Sequence, residues 1–400
     1  MSDTHATPRP VRVGLIGAGF AAGLHAASYR RIGELDVKLV AVAATTQASA
    51  QAFAQRHGIP HAYDDVAALL AHAEINLVDL CVPNNLHEPL AIAAARAGKH
   101  IVCEKPLTGY FGGPDAATPV GATPRATMYA GAMASAERMV SAARAQGVML
   151  MYAENWLYSP PIVRAERLVA ASQGAILEIR AQECHSGSHA RYAKEWAQAG
   201  GGALLRLGSH PLAAALWLKR EEGKRREGRP IVPTAVLADV ADLSRVAALR
   251  AASQRYLVDD WHDVENWSTA LITFSDGTRA VIQAADTVLG GMEDTLTIYC
   301  SNCRVDCNLT HSGVVRAFAP TDATFGDEYI MEKVSTKAGW SYPAFDESFL
   351  LGYPQEIHAF CESVAYGRPP RSGAELALQV VQVVYAAYRS AEEGRRIALG

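Results

Sequence analysis

The sequence predicts an α/β protein whose N-terminal part is a doubly wound parallel sheet, and three observations predict it. From residue 11 to residue 153, short apolar runs alternate with helix-like stretches, the signature of a parallel sheet covered on both faces. The opening run, residues 11–16, leads directly into Gly17-Ala-Gly19-Phe-Ala-Ala22 and a helix-like segment. A later run, residues 101–103, halts at Glu104-Lys105-Pro106, because proline cannot donate a ladder hydrogen bond. That stop leaves a carboxylate and an ammonium side by side at the carboxyl end of a strand, the edge where open α/β sheets bind ligands. The competing reading is a surface ion pair at a strand end.

Composition bounds the rest. The chain has 400 residues, 50% of them hydrophobic and 20% charged, which suits a soluble globular protein long enough for two domains. A net charge of −4 gives no reason to expect nucleic acid or membrane as a partner. Seven cysteines are scattered and odd in number, and Cys81, Cys103 and Cys361 fall inside apolar runs, as reduced thiols of a cytosolic protein do. Residues 1–10 are polar without an apolar core, so a disordered tail is expected and no signal peptide. No apolar run approaches the ~20 residues of a membrane span. A cytoplasmic protein follows from these bounds.

In order along the chain, residues 11–16 form a buried first strand. Gly17 permits a tight turn, Gly19 lets backbone approach a pyrophosphate, and Ala22 lets helix and strand pack closely. The N–H groups and dipole at the start of the following helix, with Phe20 and Ala21 in the same turn, would hold phosphates. The second strand, 37–42, runs on to Thr45-Thr46 with neither an acidic residue for ribose hydroxyls nor an arginine for a 2′-phosphate. Either threonine can bond either group, so NAD versus NADP stays open. Helices 47–56 and 65–73 follow, then a strand, 76–82, that ends in Pro83-Asn84-Asn-Leu-His87, and a helix, 89–97. Residues 107–131, rich in Gly, Pro, Thr and Ala, break this rhythm and read as a long inserted loop: a lid, a subunit contact or a mobile insertion. Helix 132–146 and strand 148–153 complete the first domain.

Beyond it, residues 176–182 alternate like a strand with one wet face. The polar stretch Cys184-His185-Ser-Gly-Ser-His189 can bind hydroxyls through His185, although neighbouring histidines more often face solvent. Residues 219–229 mix charge signs and read as an exposed loop. Strands are expected at 235–241, 270–274, 279–284 and 295–299, the middle pair joined by the turn Ser275-Asp-Gly-Thr278. Cys300-x-x-Cys303-x-x-x-Cys307 lacks a fourth ligand and falls on two strands and their turn, so no metal site is expected. Residues 353–366 and 374–394 read as closing helices.

Gly17-x-Gly19-Phe20, Pro83-Asn84-x-x-His87 and Gly98-Lys99-His100-x-x-x-Glu104-Lys105-Pro106 together resemble the glucose–fructose oxidoreductase/inositol dehydrogenase (Gfo/Idh/MocA) family. The likeness continues at residues 200–211 and 387–396. It implies a Rossmann domain, 11–153, and a substrate and oligomerisation domain, 154–400, with a large open, mostly antiparallel sheet and closing helices that pack back on the first domain. It implies NAD or NADP held by Gly17, Gly19, Phe20, Ala21, Thr45, Thr46, Pro83, Asn84, His87, Glu104 and Lys105. Lys105 would stand beside the nicotinamide ribose, on a cis bond to Pro106, and His210 matches the family's acid/base histidine. The segment crossing between domains would contribute Glu154, Asn155 and Tyr158 to the substrate site, against a core role for Trp156 and Tyr158.

One departure stands out. Where the family pattern has aspartate four residues before the histidine, this chain has Arg206. On one helix face an aspartate would raise the histidine's basicity and a guanidinium would lower it. Arg206 then either holds an anionic group of the substrate or pairs with a nearby carboxylate. The resemblance implies a nicotinamide-dependent oxidoreductase acting on a sugar, polyol or derivative, in a homodimer or homotetramer. Two alternatives accompany it: an NAD-dependent glycoside hydrolase working by transient oxidation, with an acidic glycoside as one candidate substrate, and a cofactor-binding regulator without catalysis.

Overall fold

The computed structural model describes residues 7–310 and 315–400, so residues 1–6 of the expected tail lie outside the described residues. In chain order the elements are β1 (Val11–Ile16), α1 (Phe20–Tyr29), β2 (Val37–Ala43), α2 (Gln47–His57), β3 (His61–Tyr63), α3 (Val66–Leu70), β4 (Leu77–Leu80), α4 (His87–Arg96), β5 (His100–Glu104), α5 (Arg125–Ala145) and β6 (Leu150–Ala153). These are followed by α6 (Pro160–Ser172), β7 (Ile176–Cys184), α7 (Trp196–Ala199), α8 (Ala203–Arg206), α9 (Ser209–Glu227), β8 (Pro233–Ala241), α10 (Ala247–Ala251), β9 (Trp267–Phe274), β10 (Arg279–Ala285), β11 (Glu293–Cys300) and β12 (Arg304–Asn308). The chain closes with β13 (Ala317–Ala319), β14 (Gly339–Ser341), α11 (Glu347–Leu351), α12 (Tyr353–Tyr366), α13 (Ala374–Glu393) and β15 (Ile397–Ala398). Two compact units result. The first gathers the described residues up to Gly109 with Ala132–Tyr158 and Gly352–Val381, and the second gathers Tyr110–Gly131, the described residues of Ser159–Leu351, and Gln382–Gly400.

The first unit is built on a parallel sheet in the order β3-β2-β1-β4-β5-β6. Helices cover both faces of such a sheet, so its strands are apolar almost throughout. Val13, Leu15, Leu77, Val78, Ile101 and Val102 are fully buried. The order reverses between β1 and β4, and that reversal opens a crevice at their carboxyl ends. The α12 helix packs on α1 within this unit. β3 was not anticipated, because three residues, His61-Ala-Tyr63, carry no apolar run and gain strand character only by pairing with β2.

The second unit is built on a mixed sheet, β12-β11-β7-β10-β9-β8-β15, antiparallel except for the β7–β10 pair. Alternation is clear in β9, where Ser268, Ala270, Ile272 and Phe274 are buried and the residues between them are half-exposed. The buried face packs against α8 and α9.

Two expectations are corrected. Residues 110–131 are not a loose insertion: α5 starts at Arg125 rather than 132, and the segment is tied into the second unit. The Tyr110 N–H donates to the Tyr385 hydroxyl at 2.6 Å, the Gly121 N–H donates to Asp263 at 2.7 Å, and the Arg125 guanidinium lies 4.2 Å from the Trp196 ring centre. These partners are more than 70 residues away in sequence, so no local signal announces them. Residues 219–227 continue α9, and Lys219 is fully buried. Its ammonium donates to Asp276 at 2.8 Å and to the Ile176 carbonyl at 3.1 Å, with Glu222 as a further partner. Desolvating that lysine is tolerable only because its donors are met. Cys300 and Cys303 close the β11–β12 hairpin with their side chains in contact, while the Cys307 thiol faces the Pro161 carbonyl.

Candidate active site

At the carboxyl ends of β1 and β4 the backbone is shaped by glycine. Gly17 has φ +115°, and a Cβ there would lie 2.0 Å from the Cys81 carbonyl, so a side chain is excluded by both strain and contact. Gly19 precedes α1 with no side-chain cap, and a Cβ built on it would meet nothing within 4 Å. Exposed backbone N–H groups at a helix start are what a pyrophosphate requires. Gly19 and Phe20 are exposed and Ala21 is half-exposed. At the end of β2, Thr45 and Thr46 are exposed, and the Thr46 hydroxyl already accepts the Ser49 N–H as the cap of α2. Pro83 is exposed and Asn84 is buried.

The turn after β5 is held from two sides. His87, expected to contact a cofactor, is fully buried and acts instead as a strut. Its Nδ1 lies 2.9 Å from the Pro106 carbonyl and its Nε2 lies 3.0 Å from the Val82 carbonyl, which joins the loop after β4 to the turn after β5. Burial holds this ring below the ordinary histidine range, against the pull of those carbonyls. From the other side, Glu104 Oε2 accepts the Lys105 backbone N–H at 2.8 Å. The Lys105–Pro106 bond is cis, and the Lys105 side chain is half-buried.

Beneath this turn lies a buried group that sequence reasoning missed. His25 Nδ1 is 2.9 Å from Asp79 Oδ2, its Nε2 is 3.2 Å from Glu104 Oε1, and the Tyr29 hydroxyl donates to Asp79 at 3.0 Å. Burial opposes a charge on His25, but Asp79, followed by Cys81, outweighs it, so the ring is raised well above its usual range. Burial, together with Asp79, raises the Cys81 thiol, which contacts Asp79 Oδ1 as a donor at 3.5 Å. Two signals existed in the sequence. His25 is spaced i+3 from Ala22, the helix face turned inward, and Asp79 interrupts an otherwise apolar strand.

The crossing segment is buried: Glu154 is inaccessible, and Asn155 and Tyr158 are each 5% exposed. Tyr158, expected in the substrate site, takes its competing core role. Its ring packs edge-on to Phe360, and its hydroxyl bonds Ser372 at 2.9 Å.

In the second unit, Glu265 fixes the start of α8. Its carboxylate accepts the N–H groups of Gly202 at 3.0 Å and Leu204 at 2.9 Å, and burial pushes its carboxyl up. Gly202 is required there, since a Cβ would lie 1.9 Å from the Glu265 carbonyl. The expected common helix face for Arg206 and His210 does not form: α8 ends at Arg206, and α9 begins at Ser209. The two side chains meet different carboxylates. Arg206 is bonded to Asp286 and lies 5.1 Å from the Trp261 ring centre. Its guanidinium is therefore engaged by a carboxylate of its own unit, the second of its two expected roles, and the acidic-glycoside alternative loses the observation that suggested it. His210 Nε2 instead faces Glu183 Oε2 of β7 at 3.9 Å, both groups being buried. His185 is buried too; its Nδ1 accepts the Gly187 N–H at 2.9 Å and lies 3.5 Å from Asp286.

Three family models match the chain. Residues 11–115 match the oxidoreductase family with an NAD-binding Rossmann fold, 162–306 the GFO/IDH/MocA C-terminal domain, and 240–399 the oxidoreductase family C-terminal alpha/beta domain. The chain belongs to the Gfo/Idh/MocA family. Among family relatives, the levoglucosan dehydrogenase of Pseudarthrobacter phenanthrenivorans is 39% identical over 104 residues, 24% of this chain and 26% of that protein. The chain thus spans about a quarter of that relative's length. The myo-inositol 2-dehydrogenase of Thermotoga maritima is 23% identical over 97% of this chain and 98% of its own. The solved structure of GenD2 from gentamicin A biosynthesis, in complex with NAD, superposes with a TM-score of 0.79 at 24% identity, covering 100% of this chain and 99% of its own. That likeness shows the Gfo/Idh/MocA fold. Glu183 and Asp286 were also missed in the sequence, because they lie near the end of β7 and one residue past β10, where sheet packing decides which side chains are buried.

Proposed function

We propose that this protein is an NAD(P)-dependent oxidoreductase that moves a hydride between a nicotinamide nucleotide and a hydroxyl-bearing carbon of a sugar, polyol or close derivative. One observation carries the reading. The Lys105 amine is mounted on a turn fixed by Glu104 and His87, in the same unit as an uncapped helix start with backbone room at Gly19. These residues fit a dinucleotide, which when bound supplies the redox chemistry. Lys105 polarises the substrate oxygen. His210 takes the hydroxyl proton during oxidation and returns it during reduction, with Glu183 facing its Nε2 edge. The relatives' names, a levoglucosan and a myo-inositol dehydrogenase, support a polyhydroxylated ring as substrate. With Thr45 and Thr46 offering hydroxyls only, both NAD and NADP belong in the assay.

The same reading takes the protein as a cytoplasmic homodimer or homotetramer. Among the described residues no helix is long and apolar enough to cross a membrane. Light scattering on the purified protein tests the assembly. To test the function, the protein is denatured to identify any released nucleotide, then fresh protein is screened with neutral sugars and polyols for absorbance at the nicotinamide band. A polyol-dependent rise abolished by Lys105→Ala is expected. No nucleotide binding and no turnover on any such ring would overturn the assignment.

A further inference from the structure

The buried group under the turn has a use beyond packing. Glu104 has two oxygens with different duties: Oε2 accepts the Lys105 backbone N–H at 2.8 Å, and Oε1 lies 3.2 Å from His25 Nε2. His25 is anchored at its other edge, Nδ1, to Asp79 at 2.9 Å, and Asp79 is anchored to Tyr29 at 3.0 Å. Tyr29 and His25 come from α1, Asp79 from β4 and Glu104 from β5, so the chain ties three elements together below the carboxyl edge of the sheet. His25 and Asp79 are both inaccessible to solvent, which fixes the ring where thermal motion of a surface group would not. Building on the reading that Lys105 handles the substrate oxygen, we propose that His25 is a positioning residue for Lys105. It holds the Glu104 carboxylate in the orientation that clamps the Lys105 N–H, and Asp79 holds His25.

The physical reason is directional. A glutamate side chain at the end of a strand has three rotatable bonds, and one hydrogen bond to its neighbour's N–H does not fix both oxygens. A cationic edge on the second oxygen removes that freedom, so the Lys105 Cα is set by buried charge rather than by a solvated side chain. Reach to a reacting atom is sensitive to errors of about 1 Å, which is the scale such a clamp controls.

The test compares His25→Leu, which removes the polar edge facing Glu104, with His25→Gln, whose amide restores a polar edge there. Two readouts are taken. Hydrogen exchange at the Lys105 amide is measured on protein without substrate, and kcat and KM are measured with nucleotide and the best polyol. The expected result is faster exchange at Lys105 in His25→Leu, kcat down about tenfold with the polyol KM changed less than about threefold, and recovery of both in His25→Gln. If His25→Leu does not fold, Asp79→Asn is used, since it removes the charge that holds the proton on His25, and the same two changes are expected. Unchanged Lys105 exchange, or equal damage by Leu and Gln, overturns the proposal. So does one equivalent of zinc found on the purified protein, because His25, Asp79 and Cys81 would then be ligands and Nδ1 could not carry a proton. Exchange needs no turnover, so a wild-type protein without dehydrogenase activity would sink the proposed function while leaving the clamp open to measurement.

Discussion

His25 in the first unit and His210 in the second are both buried, and both face carboxylates, but their surroundings differ. His25 has Asp79 and Glu104 on its two edges, and it is driven toward its charged form. His210 has Glu183 at 3.9 Å, beyond hydrogen-bond reach, while the stronger partnership nearby belongs to Arg206 and Asp286. A histidine clamped between two close anions keeps its proton and serves as a fixed cation. His210, which the proposed function makes the proton carrier, has the Glu183 carboxylate facing one edge at longer range. The arginine at the family's aspartate position is thus paired with Asp286, one residue past β10.

The largest expected effect is on the proton-moving side of this comparison. His210→Asn should lower kcat/KM by about 10²–10⁴-fold while the melting temperature moves by only a few degrees. A variant that keeps most of its activity would remove His210 from the chemistry. Next comes the ion pair. Asp286→Leu takes the Asp286 carboxylate away from the buried Arg206 guanidinium and should cost about 3–5 kcal/mol in urea unfolding. The double change Arg206→Met with Asp286→Leu should recover most of that loss. A neutral single variant would mean that Arg206 is held elsewhere and would reopen an anion-binding role.

The third prediction concerns pH. Glu356 is buried in the first unit, where burial first, and then Glu104, Glu154 and Asp79 against the pull of His25, raise its carboxyl well above the ordinary range. The native state therefore keeps a proton that the unfolded chain releases above a pH of about 4.3. Stability from this group is present at low pH and falls as pH rises, by about 1.4 kcal/mol per unit until the native value is passed. His25, also raised, has the same sign: its contribution is complete below about pH 6.5 and is lost as pH climbs through the native value. Glu356→Gln should flatten the curve from pH 5 to 8 and stabilise the protein most at the alkaline end. An unchanged slope would show that Glu356 ionises normally. The smallest effect is at Thr46, whose hydroxyl caps α2; Thr46→Ala should cost about 1 kcal/mol with the KM for NAD unchanged. A several-fold rise in that KM would instead assign the hydroxyl to the nucleotide.

The sequence by itself determined the parallel sheet, the glycine turn and the place of Lys105. Each depends on local chemistry: apolar runs that only a doubly covered strand can bury, Gly17 at a φ no side chain tolerates, and a proline that stops β5. The closing helices were equally legible, with α12 spanning Tyr353–Tyr366 as expected. Tertiary structure alone decided what each buried charge faces. His87 is a strut because two carbonyls from separate loops meet at its ring, and Arg206 turns to Asp286 because the helix breaks before His210. Charges act through space at distances of a few ångströms, and sequence spacing does not report which residues a sheet brings that close.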